Sequence, residues 1–270
     1  MGSNAELYPG NELFKYFTKT WHNKSYPQIS PVRPELWTTD RLVFITGGGS
    51  GIGKATAIAF AHAGAKVIAI FGRRNDRLQS AAEEIRKANT NGTTSVIFDG
   101  VDLSQHVAVD AVFASAVKQA GGAKIDVFIH NAGILQTLGT VAGYDEEEYR
   151  KGLELNMIGA FNTAQAMLPL LAPKAKVFNV SSCIAHISPL LGSWKYAATK
   201  AANTKMFDYL QAEHPDLHIV NINADTEMAG VGQDDRKFVW VNWDVDELKA
   251  RADGIKDSLL LRVLLNGVPL

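Results

Sequence analysis

Apolar runs of five or six residues alternate with longer stretches of helical periodicity from residue 41 onward. The apolar runs cover residues 42–46, 66–71, 94–98, 125–130, 176–180, 217–222 and 237–241, and helical spacing marks residues 55–63, 76–88, 105–120, 146–171 and 196–214. A continuous apolar run predicts a strand buried on both faces, and strands that alternate with helices are typical of a parallel sheet. We therefore predict an α/β fold with one doubly wound parallel sheet of about seven strands and helices on both faces.

Residues 1–40 have a different pattern, in which four prolines lie among aromatic positions. The prolines exclude a long helix, while the aromatic side chains argue against a solvated tail. We expect an irregular N-terminal arm over residues 1–40, lying along the domain surface or a partner subunit. Residues 41–270 are predicted to form a single domain, because no linker or low-complexity stretch divides them.

Composition and charge change this prediction little but exclude several classes of partner. The 270 residues carry a net charge of −1, which favours neither nucleic acid nor an anionic membrane surface. The single cysteine, Cys183, suits a reducing compartment. No apolar run reaches the ~20 residues of a membrane span. We expect a soluble, cytoplasmic protein without a metal site.

A glycine cluster joins the first strand to the first helix, within residues 42–54. Glycines allow close backbone approach, and a helix start directs free N–H groups at an anion, so this stretch predicts a nucleotide-phosphate site. A P-loop would need Ser or Thr after Lys54, where the chain has Ala55. The pattern T-G-x-x-x-G-x-G that begins at Thr46 instead resembles the glycine loop of the short-chain dehydrogenase/reductase superfamily, which binds NAD(P) on a Rossmann-type sheet.

The resemblance implies a set of cofactor contacts at the carboxyl ends of the strands. The implied contacts are Gly47, Ser50, Gly51, Ile52, Gly53, Asp102, Leu103, Asn131, Ala132, Gly133 and Thr226. Family members usually carry Asn before the Asn-Ala-Gly motif, whereas this chain has His130. Considered alone, Asp102 could instead cap the following helix, and Asn-Ala-Gly could be an ordinary turn.

The end of the second strand indicates which nicotinamide cofactor is preferred. An acidic residue there would bind the ribose 2′-hydroxyl of NAD(H). The chain instead has Gly72 followed by Arg73 and Arg74. Because guanidinium groups match phosphate oxygens, we expect Arg73 first, and Arg74 second, to bind the 2′-phosphate of NADP(H). NADP(H) is therefore favoured over NAD(H).

Candidate catalytic residues lie between Ser181 and Lys200. Tyr196 and Lys200 are four residues apart, which puts them on one face of a helix. The resemblance implies that Tyr196 is the general acid/base and that Lys200 lowers its pKa and holds the nicotinamide ribose. It also implies that Ser182, with Ser181 as the alternative, positions the substrate oxygen, as in a fungal branch of the family with one extra loop residue. Cys183 has the more usual spacing, but we expect it to be a packing residue because a thiol is a weak hydrogen-bond donor.

The resemblance further maps Asn156 onto the family's helix asparagine, which anchors a proton-relay water. The predicted function is hydride transfer between NADP(H) and a small-molecule carbonyl or secondary alcohol. The apolar surplus of residues 146–171 and 196–214, together with the resemblance, predicts a homodimer or homotetramer.

The region after residue 228 departs from the family pattern. Only nine residues, 229–237, separate Met228 from Phe238, the first apolar residue of the last run. A helix alone takes ~10–14 residues, so this segment cannot supply the usual lid. We expect a shortened lid, with slow turnover or loose substrate binding. The alternative reading is a catalytically impaired NADP(H)-binding scaffold or sensor.

Overall fold

A computed structural model of the protein describes residues 18–20, 22, 24–89, 92–186, 189–223, 237–240 and 243–256. Its strands are β1 (Leu42–Thr46), β2 (Val67–Gly72), β3 (Ser95–Gly100), β4 (Ile125–His130), β5 (Leu171–Ser181), β6 (His218–Asn223) and β7 (Lys237–Trp240). All neighbouring strands pair in parallel, in the order β3-β2-β1-β4-β5-β6-β7. The predicted parallel sheet is confirmed, although β5 begins earlier than its apolar run.

Helices cover both faces of this sheet. They are α1 (Gly51–His62), α2 (Asn75–Ala88), α3 (His106–Gln119), α4 (Glu146–Leu153), α5 (Gly159–Met167), α6 (Trp194–Glu213), α7 (Val245–Ala250) and α8 (Ala252–Lys256). One core cluster joins the sheet to α3, α5 and α6, and a second joins its other face to α1 and α2. This is the doubly wound arrangement that the alternating pattern predicts.

The two cores differ in the side chains that fill them. Successive side chains of β1 point to opposite faces, so Phe44 enters one core and Ile45 the other. Phe44, Phe71, Phe113 and Phe128 pack as tilted or edge-on aromatic pairs, with ring centroids 4.8 to 6.4 Å apart. Such pairs are worth about 0.5–1.5 kcal/mol beyond burial and hold α3 rigidly against the central strands.

The helix predicted over residues 146–171 is wrong as one continuous element. It divides into α4, a π-helical turn at Glu154–Ile158, α5 and a 3₁₀ turn at Leu168–Leu170, before β5 begins. Pro169 ends the helical path because it cannot continue the hydrogen-bond ladder. The π turn widens the helix at Asn156, and π turns are frequently found at functional sites.

The described part of the N-terminal arm contacts the other end of the chain. The backbone N–H groups of Lys19 and Thr20 donate to the Glu247 carboxylate at 2.6 and 2.9 Å. His22 lies 2.8 Å from the Asp244 carboxylate. The Tyr26 hydroxyl accepts from the Val245 N–H at 2.9 Å. Among the described residues, the arm therefore lies against α7 and its start rather than extending into solvent.

The winding of the chain reverses between β1 and β4. From β1 the chain runs outward to β2 and β3, then returns to place β4 on the other side of β1. Loops diverge at such a point and leave a crevice at the carboxyl ends of the strands, where ligands bind in open α/β sheets. None of the helices in the described residues is long and apolar enough to cross a membrane.

Candidate functional site

The glycine loop between β1 and α1 forms one wall of this crevice. Gly47 has a φ of +70°, a conformation that other residues rarely adopt. A Cβ atom at Gly47 would lie 2.8 Å from the Asn131 Nδ2, and one at Gly53 would lie 2.4 Å from the Gly47 carbonyl oxygen. Gly47 therefore requires glycine for its backbone conformation, and Gly53 requires it because the start of α1 is pressed against the Gly47 backbone.

Hydrogen bonds tie the ends of β1 and β4 together beside the loop. The backbone N–H groups of Asn131 and Ala132 donate to the Thr46 Oγ1 at 3.0 and 3.1 Å. The Asn131 Nδ2 donates to the Thr46 carbonyl oxygen at 3.0 Å. The Asn-Ala-Gly segment is therefore a fixed part of the crevice wall, as the strand-end argument predicts, and is more than an isolated turn.

Lys54 takes no part in this wall. Its Nζ donates to both carboxylate oxygens of Glu84, at 3.0 and 2.9 Å, and so faces α2. A P-loop lysine would have to point at the phosphates. The direction of Lys54 therefore argues against a P-loop, as does Ala55 in the sequence.

A groove runs across the carboxyl ends of the strands, from the glycine loop to α6. It is lined by Gly47, Gly49, Ser50, Ile52, Gly72, Arg73, Arg74, Arg77, Leu78, Val101, Leu103, Asn131, Ala132, Gly133, Ile134, Leu155, Val180, Ser181, Ser182, Tyr196 and Lys200. Most of the predicted site residues are in this set. Gly51 and Gly53 shape the loop behind the groove, Asp102 and Asn156 lie beside it, and Thr226 lies outside the described residues.

Three arginines line one end of the groove. Arg73 and Arg74 are exposed, as expected for residues that could meet an anion. Sequence reasoning missed Arg77, which lies in the first turn of α2, four residues after Arg73. Arg73 and Arg74 precede the helix, so the available signal was a third arginine in the first turn that follows them. Within the described residues, none of the three forms an ion pair, so this end of the groove is electropositive.

Asp102 is held by a turn next to the groove. Its Oδ1 accepts hydrogen bonds from the backbone N–H and the hydroxyl of Ser104, at 3.0 and 2.9 Å. It lines a second, adjoining pocket that shares Arg73, Ile134 and Leu155 with the groove. The alternative prediction is that Asp102 caps α3. The Asp102 carboxylate does not form this cap, because the helix begins later, at His106. One oxygen is used in the turn and the other can accept from a ligand.

Tyr196 and Lys200 lie on the same face of α6 at the opposite end of the groove. The Lys200 Nζ is 5.6 Å from the centre of the Tyr196 ring and donates to the Val180 carbonyl oxygen at 2.7 Å. Burial lowers the pKa of Lys200 to about 8. Burial also raises the pKa of the Tyr196 phenol, and the Cys183 thiol raises it further. Burial is thus the dominant influence on the Tyr196 pKa in this arrangement, and the lowering that the resemblance implies stays a prediction.

The two candidate serines have different surroundings at the end of β5. The Ser181 Oγ is buried and lies 2.7 Å from the Thr204 Oγ1. The Ser182 Oγ is only half-buried and accepts a long, 3.5 Å contact from the Ile184 N–H. Ser182 is thus the serine with a hydroxyl proton to offer, and Cys183, whose N–H donates to the Asn223 Oδ1 at 2.8 Å, belongs to the turn that follows.

Asn156 lies in the π turn, with its side chain turned toward the loop after β4. Its Oδ1 accepts from the Ile134 N–H and its Nδ2 donates to the Ile134 carbonyl oxygen, both at 2.9 Å. The side-chain amide of Asn203 donates to the Asn156 backbone carbonyl at 2.6 Å. Both ends of the Asn156 side-chain amide are thus engaged with Ile134, which joins the π turn to the loop after β4.

His130, which replaces the more usual asparagine, is buried at the end of β4. Its ring stacks on Phe207 with centroids 5.4 Å apart. Burial, with a smaller contribution from the Lys200 charge, lowers the pKa of His130 to about 3. The imidazole is consequently neutral at physiological pH and acts as a packing group beneath the Tyr196 end of the groove.

Comparisons with known proteins identify a family that matches most of this chain. Residues 41–228 match the family model described as short chain dehydrogenase. A short chain dehydrogenase of Aspergillus terreus, tazN, is 34% identical over 201 residues, which cover 72% of this chain but 42% of the relative. One of Monascus purpureus, mpl6, is 28% identical over 294 aligned positions, covering 96% of this chain and 99% of the relative. The chain thus spans less than half of the first relative and nearly all of the second.

Solved structures show the same fold. L-sorbose reductase from Gluconobacter frateurii, crystallised with NADPH and L-sorbose, has a TM-score of 0.62 at 28% identity, over 69% of this chain and 70% of that one. A short-chain dehydrogenase/reductase from Mycobacterium ulcerans has a TM-score of 0.64 at 24% identity, over 70% of this chain and 68% of that one. The second likeness supports the fold alone.

Proposed function

Since this chain belongs to the short-chain dehydrogenase family, we propose that it transfers a hydride between NADP(H) and a carbonyl compound or a secondary alcohol. One observation carries the proposal: a single groove begins at the glycine loop and three arginines and ends at Ser182, Tyr196 and Lys200. A dinucleotide needs a phosphate cradle and a reactive end in one continuous site. A plain strand–helix turn would need neither.

The residues of the groove fit a dinucleotide. The cradle at Gly47 and Gly53 lets the backbone approach a ligand closely, and the start of α1 offers N–H groups to an anion. Leu103 and Ile134 provide apolar surface for a flat base. The Asp102 carboxylate lies next to them and can accept from an exocyclic amino group. Asn131, Ala132 and Gly133 form the floor toward the catalytic end.

The preference for NADP(H) over NAD(H) rests on charge. Arg73, Arg74 and Arg77 are exposed at the groove and can form bidentate hydrogen bonds with a phosphate. No acidic side chain at the end of β2 would repel such a group, since Gly72 precedes the arginines. The NADPH in the L-sorbose reductase crystal gives a precedent among structural neighbours.

The nicotinamide, when bound, supplies or accepts the hydride, and the side chains at this end handle the proton. We assign Tyr196 as the proton donor and acceptor at the substrate oxygen. Ser182 donates a hydrogen bond to the same oxygen and so orients it. Lys200 presents a cation close to the phenol, where it stabilises a phenolate as the proton leaves. The Asn156 carbonyl takes the relay position behind Lys200.

Exposed apolar side chains on two helices support assembly into a homo-oligomer. Ile158, Phe161 and Tyr209 are each about half or more exposed on the surface of the π turn, α5 and α6. Large apolar side chains grouped on helix faces favour contact with another protein surface. We propose that a second copy of the chain covers them, in a homodimer or homotetramer.

A specific observation also keeps the scaffold or sensor alternative in view. The Lys200 ammonium is engaged by the Val180 carbonyl, and the Tyr196 pKa is raised rather than lowered. A protein that binds NADP(H) without turnover would tolerate such an arrangement, whereas an efficient enzyme must recruit Lys200 when the cofactor enters.

The test measures binding and turnover separately on the purified protein. NADPH and NADH are titrated first, and each is then assayed with a panel of ketones, aldehydes and secondary alcohols. Turnover of at least one substrate with NADPH, lost in Tyr196→Phe, supports the reductase. Tight NADPH binding without turnover across the panel would favour the scaffold, and failure to bind either cofactor would refute both.

A further inference from the structure

A buried lysine that the proposed reaction does not use lies next to the candidate catalytic tyrosine. Lys195 is the second residue of α6 and its side chain is 1% exposed, although most lysines lie at protein surfaces. A cation at a helix start also faces the positive end of the helix dipole. Desolvation and the dipole both oppose this placement, so compensating contacts are required.

Those contacts come from one carbonyl and two aromatic rings. The Lys195 Nζ donates to the Gly192 carbonyl oxygen at 3.1 Å. It also lies 3.8 Å from the centre of the Tyr144 ring and 5.7 Å from that of Trp194. The first distance is well inside the ~6 Å range of a cation–π interaction, and burial strengthens such a contact.

The cation joins two loops that flank the Tyr196 end of the groove. One is the loop after β4, residues 131–145, which carries Tyr144, and the other is the segment 189–193 before α6. The Gly139 N–H donates to the Gly192 carbonyl and the Trp194 Nε1 donates to the Gly139 carbonyl, both at 3.1 Å. Together with the cation–π contact, these bonds make one unit, the Lys195 clamp, composed of Gly139, Tyr144, Gly192, Trp194 and Lys195.

The start of α6 depends on this clamp because it lacks an ordinary cap. Ser193 stands at the N-cap position but makes no side-chain capping bond within the described residues. Tyr196 follows only one residue after Lys195, so any looseness in the first turn moves the phenol relative to Ser182. The two loops also present exposed leucines, Leu135, Leu138, Leu190 and Leu191, around this end of the site.

We infer that Lys195 is a positioning residue, which fixes the two loops as the substrate-side wall and sets the place of Tyr196. Both the charge and the length of the Lys195 side chain contribute to this positioning, and the charge acts through the contact with the Tyr144 ring. The role in substrate binding rests on the proposed function, whereas the loop clamp itself does not. Loss of the charge should therefore weaken substrate binding and loosen the loops while leaving cofactor binding intact.

The experiment compares Lys195→Met with Lys195→Arg on the full chain. Methionine keeps the length without the charge, and arginine keeps a cation that stacks on aromatic rings. Thermolysin cleavage within residues 134–145 and 189–193, mapped by mass spectrometry, should accelerate roughly 3- to 30-fold in Lys195→Met. Lys195→Arg should restore most of the protection. Lys205→Met, an exposed lysine of the same helix, is the matched control and should change nothing.

Kinetics then test the role in the reaction. On the best substrate found, Lys195→Met should raise KM by a similar factor with a smaller fall in kcat, and NADPH affinity should stay unchanged. Equal effects of Lys195→Met and Lys195→Arg, or cleavage no faster than in the control, would overturn the clamp. If no substrate turns over in any variant while cleavage changes as expected, the reductase proposal fails and the clamp stands.

A second pair of variants covers the case in which Lys195→Met does not fold. Tyr144→Leu removes the ring face without a substitution in α6, whereas Tyr144→Phe keeps the ring and loses only the hydroxyl's bonds to Thr137 and Glu148. Faster cleavage in Tyr144→Leu than in Tyr144→Phe supports the clamp, and equal rates contradict it.

Discussion

The Ser181 hydroxyl lies 2.7 Å from the hydroxyl of Thr204, and Thr204 donates in turn to the Lys200 carbonyl oxygen at 2.9 Å. Because Thr204 gives its proton to that carbonyl, Ser181 must donate to Thr204. This leaves Ser181 with no proton for a ligand. The buried pair therefore joins β5 to α6, and the neighbouring Ser182 is left to face the substrate.

The two serines should respond differently to substitution by alanine. Ser182→Ala should lower kcat/KM by about 10²-fold or more, since a hydrogen-bond donor to the developing charge is lost. Ser181→Ala should instead cost about 1 kcal/mol of folding free energy and leave kcat within a few-fold. Steady-state kinetics and denaturant unfolding of both variants check this. A larger kinetic loss in Ser181→Ala would reverse the assignment.

Tyr196→Phe should remove at least ~10²-fold of the turnover while NADPH affinity stays nearly unchanged, because only a proton transfer is lost. Burial raises the pKa of Tyr196, so the phenol keeps its proton throughout the neutral range. Carbonyl reduction, which needs the protonated phenol, should vary little with pH there. Alcohol oxidation, which needs the phenolate, should accelerate as the pH rises. A rate of alcohol oxidation that falls as the pH rises would contradict this role.

Lys200 should make the stability of the cofactor-free protein depend on pH in the alkaline range. Its pKa is about 8 when folded and 10.5 when unfolded, so between these values the unfolded chain binds more protons. The destabilisation is full below pH 8, about 3 kcal/mol at most, and is relieved as the pH rises toward 10.5. Lys200→Met should therefore stabilise the fold at neutral pH, with an advantage that shrinks above pH 8. If the free energies of unfolding of the unmodified protein and of Lys200→Met changed in parallel with pH, this prediction would be refuted.

The three groove arginines should determine the choice between cofactors. Arg73→Ala should reduce the preference for NADPH over NADH by roughly 10- to 100-fold, as expected for a charge-assisted hydrogen bond. Arg74→Ala and Arg77→Ala should have smaller effects in the same direction. Arg150→Ala is the control, since that exposed arginine pairs with Glu146 on α4. Equal thermal shifts with both cofactors in the unmodified protein would disprove the preference.

Oligomerisation should depend on the exposed apolar residues of α5 and α6. Phe161→Arg places a charge in the proposed contact and should yield a monomer by analytical ultracentrifugation at micromolar concentration. Val107→Arg is the control, because Val107 is also exposed but lies on α3. A monomeric mass for the unmodified protein would contradict the assembly.

Much of the architecture could be predicted because it follows from local pattern. Buried parallel strands are continuous apolar runs, so each strand in the described residues corresponds to a predicted run. The glycine loop, Asn131 and Tyr196 meet at one edge of this sheet. The π turn at Asn156 was not predictable, since its extra residue per turn leaves no trace in apolar spacing. The shortened lid and Thr226 lie outside the described residues and stay predictions.

Other features depend on three-dimensional neighbours that no local pattern reveals. Lys195 reads as a solvent-facing residue in the sequence, yet Tyr144, more than fifty positions earlier, covers it. The raised pKa of Tyr196 has the same origin. The sequence shows a lysine four residues away, but it does not show how deeply both groups are buried.

The contact between the N-terminal arm and α7 has a consequence for synthesis on the ribosome. Lys19 is translated 228 positions before Glu247, which accepts its backbone hydrogen bond. Until then the Tyr26 hydroxyl lacks the Val245 N–H from which it accepts, and the arm has no docking surface at α7. The arm therefore gains its contacts with α7 only after all the strands of the described sheet have been translated.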